Sequence, residues 1–311
     1  MHHDHRSRAN GPMEIQGSSG NAIRKTRSRT RIAGVVVLYR PPDSVPRNVE
    51  TYLPNVDVLY VFDNSPDASA SVVQEIVRLD KVRYCTMGNN VGMSTALNFA
   101  ARKALEEDFD YLLTMDQDGA ATKDMVEKML ECMRDDETIG IVTPFHQDRN
   151  TPVTSSKEEV EPVLTAMTSG NLLNLSAYRR VGEYLEQLFI DYVDIEYCLR
   201  LHANGYSVVR SNRAILHHTR GHLTQERFFG RKTYTPHYSP SRLFYQTRNR
   251  FYLRRIYGSK FPEYFAYDRK MYWRGVVKML LYENHRLRKL LMICRGFIAL
   301  WRNDFTTIPM Q

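Results

Sequence analysis

The stretch FDYLLTMDQDG, residues 109–119, decides the fold because it joins a buried strand to an acidic turn. Residues 111–115 form a nearly continuous apolar run, which is typical of a strand covered on both faces in a mainly parallel sheet. The run ends at Asp116 and Asp118, and open α/β sheets bind their ligands at the carboxyl ends of such strands. The stretch therefore predicts two carboxylates at a ligand-binding edge of the sheet.

The Asp116-Gln117-Asp118 turn has two interpretations when taken alone. Carboxylates completed by substrate phosphates are the usual ligands of Mg²⁺, and Mn²⁺ accepts the same oxygen ligands. Aspartate before glycine is also common in ordinary turns, where it bonds to the local backbone. These residues do not decide between a metal site and a turn, so the remainder of the chain has to.

Composition and cysteine usage are those of a soluble globular protein of 311 residues, enough for one large domain or two of ordinary size. Four widely spaced cysteines with no Cys-x-x-Cys pair argue against a disulfide framework or a zinc cage. No apolar run reaches the length of a bilayer span, and the amino terminus lacks the apolar region of a signal peptide. We therefore expect a cytoplasmic protein.

The net charge of +8 is concentrated in a basic run at residues 24–31 and in the segment after Asp268. Such patches attract nucleic acid, anionic lipid and diphosphates alike, and no nucleic-acid-binding motif accompanies them. Residues 1–30 lack apolar periodicity and are predicted to form a disordered basic arm. We expect an anionic partner other than nucleic acid.

Three strand–loop–helix units are predicted before Asp116. Apolar runs indicate their strands, at residues 32–39, 56–62 and 82–86. Ser94 is expected to cap the third helix, and a later strand at 139–143 is expected to be closed by Pro144. The alternation predicts a parallel sheet with right-handed crossovers.

Polar residues also follow the second and third strands. Asp63, with Asn64 beside it, offers an acceptor for the N3 hydrogen of a uracil or thymine ring, and Asn90 and Gly92 allow the backbone to approach a ribose closely. An Asx turn and an ordinary loop explain the same residues equally well. Both interpretations stay open, although all four residues fall on the predicted edge that carries Asp116.

Further candidates lie in the middle of the chain. The polar stretch 146–161 is predicted to be a loop over the site, after which Ser169 and Gly170 either line an acceptor pocket or mark a bulge in the returning strand. Asp191 and Asp194 precede a helical pattern that Asn204 and Gly205 end. These carboxylates either cap that helix or supply a general base at its amino end, where a carboxylate tends to stay ionised.

Histidines and a basic tail complete the candidates. His217 and His218 are adjacent on a predicted strand and point to opposite faces, so at most one of them joins the aspartates as a metal ligand. From residue 234 the chain becomes helical, aromatic and basic. Its apolar stripe fits packing on the preceding domain and fits a helix lying on an anionic membrane surface.

Eight motifs occur in one order and cover most of residues 32–255: VVVLYRP, VFDNSPD, GNNVGMSTALNFA, YLLTMDQDG, TSGNLLN, LFIDYVDIEYCLRLHANGY, ILHHTRG and YQTRNRFYLRR. With these motifs the chain resembles glycosyltransferase family 2, and most of all the bacterial rhamnosyltransferases of O-antigen and related polysaccharide assembly. The resemblance implies a GT-A fold, a Rossmann-like, mainly parallel α/β sheet with helices on both faces. It also implies a catalytic domain at residues 31–233, followed by a helical region at 234–311 that contacts acceptor or membrane.

The resemblance assigns roles position by position. It implies nucleotide binding by Tyr39, Asp63, Asn64, Asn90, Gly92 and Asp116, acceptor binding by Ser169 and Gly170, and a Mg²⁺ or Mn²⁺ site at Asp116, Asp118 and His218. Asp194 matches the family's catalytic base. The family's usual pair there is Glu-Asp, whereas Val193 precedes Asp194 in this chain, which leaves Asp191 as a second, less favoured candidate.

The implied activity is inverting transfer of a sugar, L-rhamnose from dTDP-L-rhamnose, onto a saccharide acceptor linked to a polyprenyl diphosphate lipid. Two other classes stay open. A nucleotidyltransferase has a similar sheet and acidic site, but a Gly-rich, basic phosphate loop does not follow the first strand. A noncatalytic protein that binds sugar nucleotides would carry the same binding residues without turnover.

Overall fold

The computed structural model describes residues 29–67, 70–147, 158–218, 224–228 and 231–310. Most of the predicted basic arm at residues 1–30 lies outside these ranges, as does most of the loop predicted at 146–161. From Arg31 onward the chain forms one compact unit, which includes the helices of the basic tail.

Three β–α units open this compact unit. The elements are β1 (Ile32–Leu38), α1 (Val45–Tyr52), β2 (Val58–Asp63), α2 (Ala70–Val77), β3 (Val82–Thr86), α3 (Met93–Glu106) and β4 (Tyr111–Asp116). Every residue of β1 and β2 is buried, as their unbroken apolar sequences require. Because β1 pairs in parallel with both β2 and β4, and β2 with β3, the predicted parallel arrangement is confirmed.

The second half of the unit makes the sheet mixed. Its strands are β5 (Gly119–Ala121), β6 (Ile139–Gln147), β7 (Val160–Pro162), β8 (Asn171–Asn174), β9 (Ser207–His218), β10 (Thr224–Phe228) and β11 (Arg231–Thr235). The main sheet has the order β3-β2-β1-β4-β8-β6-β9-β5, and β7 also pairs with β9. Strand β8 runs antiparallel to both β4 and β6, so it is a single reversed strand between two strands of the same direction, and β9 continues that direction beside β6.

Helices cover both faces of the sheet, as predicted. The remaining helices are α4 (Met125–Asp135), α5 (Leu175–Val181), α6 (Val193–Ala203), α7 (Pro240–Tyr257), α8 (Pro262–Tyr282) and α9 (Arg286–Trp301). One core cluster joins α3, α5 and α6 to the sheet, and a second joins α1, α2 and α4 to its other face. Leu253 of α7 and Phe265 of α8 belong to the first cluster, so part of the basic tail packs on the sheet domain.

Two local predictions are wrong. Ser94 does not cap α3: Gly92 occupies the cap position at φ 91°, and Ser94 lies buried in the first turn. A side-chain cap is unnecessary because the Phe189 carbonyl accepts the backbone N–H of Met93 at 2.7 Å. Pro144 does not close its strand, since β6 continues to Gln147 and shifts register against β9 after Pro144, where the missing N–H is tolerated.

The tail helices α7, α8 and α9 differ in how much apolar surface they leave in solvent. Helix α9 exposes Leu287 and Trp301 by more than four-fifths of their surfaces, and Leu291 by 60%. Among the described residues, no helix combines the length and apolarity that a transmembrane segment needs. The tail is therefore a helical layer that is partly packed on the domain and partly apolar on its outer side.

Candidate active site

Strand register places the predicted carboxylates at one edge of the sheet. Leu38 at the end of β1 pairs with Asp63 at the end of β2, and Val37 pairs with Asp116 at the end of β4. The two aspartates therefore flank the end of the same central strand. Local sequence patterns had indicated this common edge, and the parallel pairing produces it.

Asp116, Asp118 and His218 converge on one point. The antiparallel pairing of β5 with β9 sets Gly119 opposite His218, which brings the histidine beside the acidic turn. His218 Nε2 lies 3.2 Å from Asp118 Oδ1, and one ligand atom from each of the three residues lies within 4.8 Å of the others. His217, paired with Ala120, is outside this group. The trio is the set of oxygen and nitrogen donors that a divalent cation takes in proteins.

The electrostatics of Asp116 fit a cation at this point. Burial first, and then the negative charges of Asp118 and Asp194, raise the pKa of Asp116 to about 6. The charges of His218 and Arg242 oppose this rise. Its Oδ1 atom is buried and makes no hydrogen bond to any described residue. A buried carboxylate oxygen without a partner costs free energy that a bound cation would recover. The residues present therefore suit Mg²⁺ or Mn²⁺.

Gln117, between the two aspartates, fixes the turn to the first loop. Its Oε1 accepts the backbone N–H of Tyr39 at 2.9 Å, and its Nε2 donates to the Tyr39 carbonyl at 3.3 Å. Asn48 Nδ2 donates to the Gln117 carbonyl at 3.0 Å. The sequence analysis did not predict this role, although Gln117 lies within the stretch FDYLLTMDQDG that predicts the acidic turn. Tyr39 and the acidic turn are thus held as one piece.

The predicted nucleotide-binding residues form a bonded loop system. Asp63 Oδ1 accepts the backbone N–H of Ser65 at 2.8 Å, which is the Asx turn, and Oδ2 accepts the Tyr84 hydroxyl at 2.9 Å. Asn64 Nδ2 donates to the Gly92 carbonyl at 3.2 Å. Asp63 is completely buried, and its two hydrogen bonds hold the loop at this edge of the sheet in place. Its contact with a nucleotide base stays a prediction.

Asn90 and Tyr39 meet at a cavity of about 340 Å³ whose other wall includes Phe189 and the C-terminal residues 307–310. Asn90 Oδ1 accepts the backbone N–H of Gly92 at 3.0 Å. Gly92 is required here, because a Cβ at its φ of 91° would lie 2.7 Å from both the ring and the carbonyl oxygen of Phe189. The cavity is of a size suited to a small ligand group.

Ser169 and Gly170 lie beneath the acidic turn. Ser169 is fully buried and its Oγ accepts the backbone N–H of Asp116 at 3.2 Å, while its carbonyl accepts the Nε2–H of His146 at 2.7 Å. A Cβ on Gly170 would lie 2.7 Å from Pro144. Both residues therefore support the acidic turn at Asp116 by packing and hydrogen bonding. Their contact with an acceptor stays a prediction. His146 belongs to strand β6, although the sequence had predicted that a loop begins at this residue.

Asp194 lies in the first turn of α6 at the same edge. Burial raises its pKa to about 6, the Ile195 N–H that it accepts at 2.8 Å lowers the pKa, and the charge of Asp191 raises it. The expectation of a permanently ionised carboxylate is thus modified, because burial outweighs the stabilisation offered by the helix end. A pKa near the working pH suits a general base.

Asp191 has a different environment. Arg242 of α7 grips its carboxylate with Nε at 3.1 and 3.2 Å and Nη2 at 3.0 Å, and the Arg242 guanidinium lies over the Tyr238 ring. A carboxylate held by a bidentate arginine is poorly placed to accept a proton from a substrate. The geometry therefore favours Asp194 over Asp191 as the base, and it adds Arg242, which sequence reasoning missed, to the site.

The turn that carries Asp191 and leads into α6, here called the catalytic turn, is strained and is held by residues of another helix. Phe189, Asp191 and Tyr192 all have positive φ, a conformation that non-glycine residues adopt at a cost. Asn249 Nδ2 lies within 3.0 Å of three carbonyls in this turn, those of Leu188, Ile190 and Asp191.

Arg248, the neighbouring residue on α7, is fully buried and donates through Nη2 to the Gln187 carbonyl at 2.9 Å. The pair Arg248 and Asn249, here called the α7 clamp, therefore supplies the donors that this turn needs. The basic motif YQTRNRFYLRR was the sequence signal nearest to the clamp, and it gave no indication that Arg248 and Asn249 bond to backbone carbonyls.

The sequence is similar to a known glycosyltransferase family and to one of its bacterial relatives. Residues 35–187 match the model of the family described as Glycosyl transferase family 2. The dTDP-rhamnosyl transferase RfbF of Shigella flexneri is 28% identical over 250 residues, which cover 73% of this chain and 80% of RfbF.

Solved structures share the fold at low identity. A crystal structure of GalNAc-T7 with UDP, GalNAc and Mn²⁺ superposes with a TM-score of 0.57 at 14% identity, over 88% of this chain and 56% of that one. The chain thus spans little more than half of that protein. Staphylococcus aureus TarS 1–349 in complex with UDP-GlcNAc gives a TM-score of 0.51 at 14% identity, over 89% of this chain and 75% of TarS. At these identities the likeness is one of fold.

Proposed function

We propose that this chain is an inverting glycosyltransferase of family 2 with the GT-A fold. It transfers L-rhamnose from dTDP-L-rhamnose to a saccharide acceptor in bacterial surface polysaccharide synthesis, with inversion of configuration at the anomeric carbon. One observation carries the proposal: Asp194, a carboxylate suited to be a base, is hydrogen-bonded to the backbone of Thr168, and the next residue, Ser169, accepts the backbone N–H of Asp116 at 3.2 Å. Base and diphosphate site are therefore neighbours, as an in-line displacement requires.

The proposed reaction uses this chain's residues as follows. The acceptor hydroxyl attacks the anomeric carbon of the donor sugar, and Asp194 takes the hydroxyl proton as the new bond forms. The bond from the anomeric carbon to the diphosphate oxygen breaks, and the attack from the opposite side inverts the configuration. Tyr39, Asn64, Asn90 and Gly92 hold the nucleoside end of the donor.

The diphosphate end is assigned to Asp116, Asp118 and His218. These residues would hold Mg²⁺ or Mn²⁺, and such an ion, when bound, supplies positive charge that neutralises the leaving diphosphate. Arg242 adds a fixed positive charge from α7, since its guanidinium interacts electrostatically with both Asp191 and Asp116.

The identity of the sugar is supported by one relative. RfbF is named a dTDP-rhamnosyl transferase, and the aligned region extends over most of both chains. We therefore place dTDP-L-rhamnose first among the donors to be tested, ahead of other nucleotide sugars. The lipid-linked acceptor and action at the inner face of the cytoplasmic membrane are part of the same proposal, which the apolar exposed side chains of α9 favour.

A panel of nucleotide sugars tests the proposal directly. The purified protein is incubated with each donor and Mg²⁺ or Mn²⁺, with and without EDTA, and release of the nucleoside diphosphate is followed. We expect metal-dependent turnover with dTDP-L-rhamnose, and loss of transfer but not of donor binding in Asp194→Asn. Donor binding without any turnover would instead assign the chain to the noncatalytic sugar-nucleotide-binding proteins.

A further inference from the structure

A mainly apolar cavity lies outside the donor site, between α7, α8 and α9. It has a volume of about 830 Å³, within the range of roughly 300–1,000 Å³ that is typical of small-molecule sites. Its lining is mainly apolar, and includes Leu243, Met271, Tyr272, Trp273, Val276 and Ile293. None of the roles assigned above uses this cavity.

One end of the cavity reaches the catalytic turn. Tyr238 lines the cavity, and its ring lies 4.9 Å below the guanidinium of Arg242. Arg242 in turn grips Asp191, three residues before the base Asp194. A molecule that fills the cavity and extends past Tyr238 would therefore reach the Arg242–Asp191 pair, close in sequence to Asp194.

The charges around the cavity are positive. Its acidic residue, Glu283, is neutralised by a buried ion pair with Lys289, and Arg250 is paired with Asp268 at 2.8 Å. Three further cations line the cavity at four-residue spacing on α8, Lys270, Arg274 and Lys278. In the part of the chain that the structure describes, these three make no ion pair with an acidic side chain. An apolar interior with unneutralised cations along one helix complements an anionic amphiphile.

We propose that this cavity binds the hydrocarbon chain of a phosphate-bearing lipid that carries the acceptor saccharide. The chain lies against Leu243, Val276 and Ile293, and the phosphate is bound by the α8 cations. The saccharide then extends past Tyr238 towards Asp194. This inference rests on the proposed transferase function and adds to it the place in the fold where the lipid of the acceptor is held.

Gly275 permits a test that leaves the fold intact. It lines the cavity within α8, and a Cβ at this position would meet no atom within 4 Å. The variant Gly275→Leu therefore adds apolar bulk at the cavity lining with no clash at its Cβ, and glycine is the poorer helix former, so the fold is expected to be retained. The probe is dodecyl phosphate below its micelle concentration, and the signal is the fluorescence of Trp273, one of two tryptophans in the chain, in a Trp301→Phe background.

We expect dodecyl phosphate to change Trp273 emission saturably, whereas inorganic phosphate at the same concentration does not. Gly275→Leu is expected to weaken binding about tenfold, as the loss of roughly two buried methylene groups would. Arg274→Glu is expected to weaken it as well, and Arg269→Glu, an exposed neighbour outside the cavity, is the control that keeps the parent affinity. Unchanged affinity in Gly275→Leu overturns the proposal, and so does a response to anionic vesicles without a response to the monomeric amphiphile.

Metal-dependent hydrolysis of dTDP-L-rhamnose in the absence of acceptor separates this inference from the function on which it rests. Gly275→Leu should leave that hydrolysis unchanged. Hydrolysis together with no binding of dodecyl phosphate refutes the cavity assignment alone. Saturable binding of dodecyl phosphate by a protein that turns over no nucleotide sugar refutes the transferase function, while the cavity stands as a site for an anionic lipid.

Discussion

Replacing Asp194 by asparagine is expected to abolish transfer and, at the same time, to stabilise the fold at alkaline pH. Burial raises the pKa of Asp194 from its ordinary 3.8 to about 6, so keeping this carboxylate ionised lowers the free energy of unfolding. At 1.36 kcal/mol per pKa unit, the shift corresponds to about 3 kcal/mol of lost stability at pH 8. Because the residue is partly exposed, screening reduces the expected gain in Asp194→Asn to about 2 kcal/mol.

Thermal unfolding across pH measures this gain. For a chain of this size, about 2 kcal/mol corresponds to a rise in Tm of about 4 °C at pH 8. The raised pKa fixes the sign: the folded state takes up the proton as the pH falls through about 6, whereas the unfolded chain keeps its charge until about pH 4. The advantage of Asp194→Asn should therefore shrink to about half by pH 5.

Asp191→Asn is the matched control. It removes the carboxylate that Arg242 grips, so we expect a lower Tm at both pH values. Asp194→Asn should lower kcat by about 10²–10⁴, the usual contribution of a general base, with donor affinity retained. In the parent enzyme, kcat/KM should rise as Asp194 ionises and level off above pH 6. Turnover near the parent value in Asp194→Asn, or a Tm gain of equal size at pH 5 and pH 8, would refute the reasoning.

Three further changes test the edge of the sheet. Gly92→Ala should lower Tm and donor affinity because its Cβ meets Phe189 at 2.7 Å; Gly88→Ala, also at positive φ but with open space around its Cβ, should be milder, and equal effects would contradict the packing argument. Asn249→Ala should lower kcat far more than it raises the donor KM, because it releases the carbonyls of the catalytic turn; a change in KM alone would count against that role. His218→Ala should weaken Mn²⁺ binding, followed by the electron paramagnetic resonance of the free ion, and unchanged affinity would remove it from the metal trio.

The sheet and its ligand edge were predictable because both depend on local sequence. Residues 32–38 and 58–63 are apolar enough to be buried on both faces, and their alternation with helical patterns leaves few topologies other than parallel pairing. Once the strands are parallel, Asp63 and Asp116 must end at the same edge. The convergence of His218 on Asp118 could not be predicted from local patterns, because it depends on the pairing of β5 with β9. Strand β5 has three residues, which is too short to show the alternation of a strand.

The support of the catalytic turn was not predictable, because it comes from residues about 60 positions away. Arg248 and Asn249 belong to a helix whose charged sequence suggests an outward-facing surface, yet both are fully buried. Periodicity cannot reveal that a buried arginine is bonded to backbone carbonyls. The raised pKa of Asp194 was missed for a related reason, since the favourable helix end is visible in the sequence and the burial that outweighs it is not.

The α7 clamp implies that the catalytic unit is larger than the region that matches the family model. That region ends at residue 187, directly before the turn in which Phe189, Asp191 and Tyr192 adopt positive φ. A turn with this conformation leaves carbonyls that no regular element satisfies, and a buried carbonyl without a donor costs about 1–3 kcal/mol. The α7 clamp supplies those donors, so the base Asp194 depends for its position on a helix that begins at residue 240. It follows that α7 is part of the proposed active site: the helices of the tail fix the proposed base from one side, while the sheet fixes the proposed diphosphate-binding residues from the other.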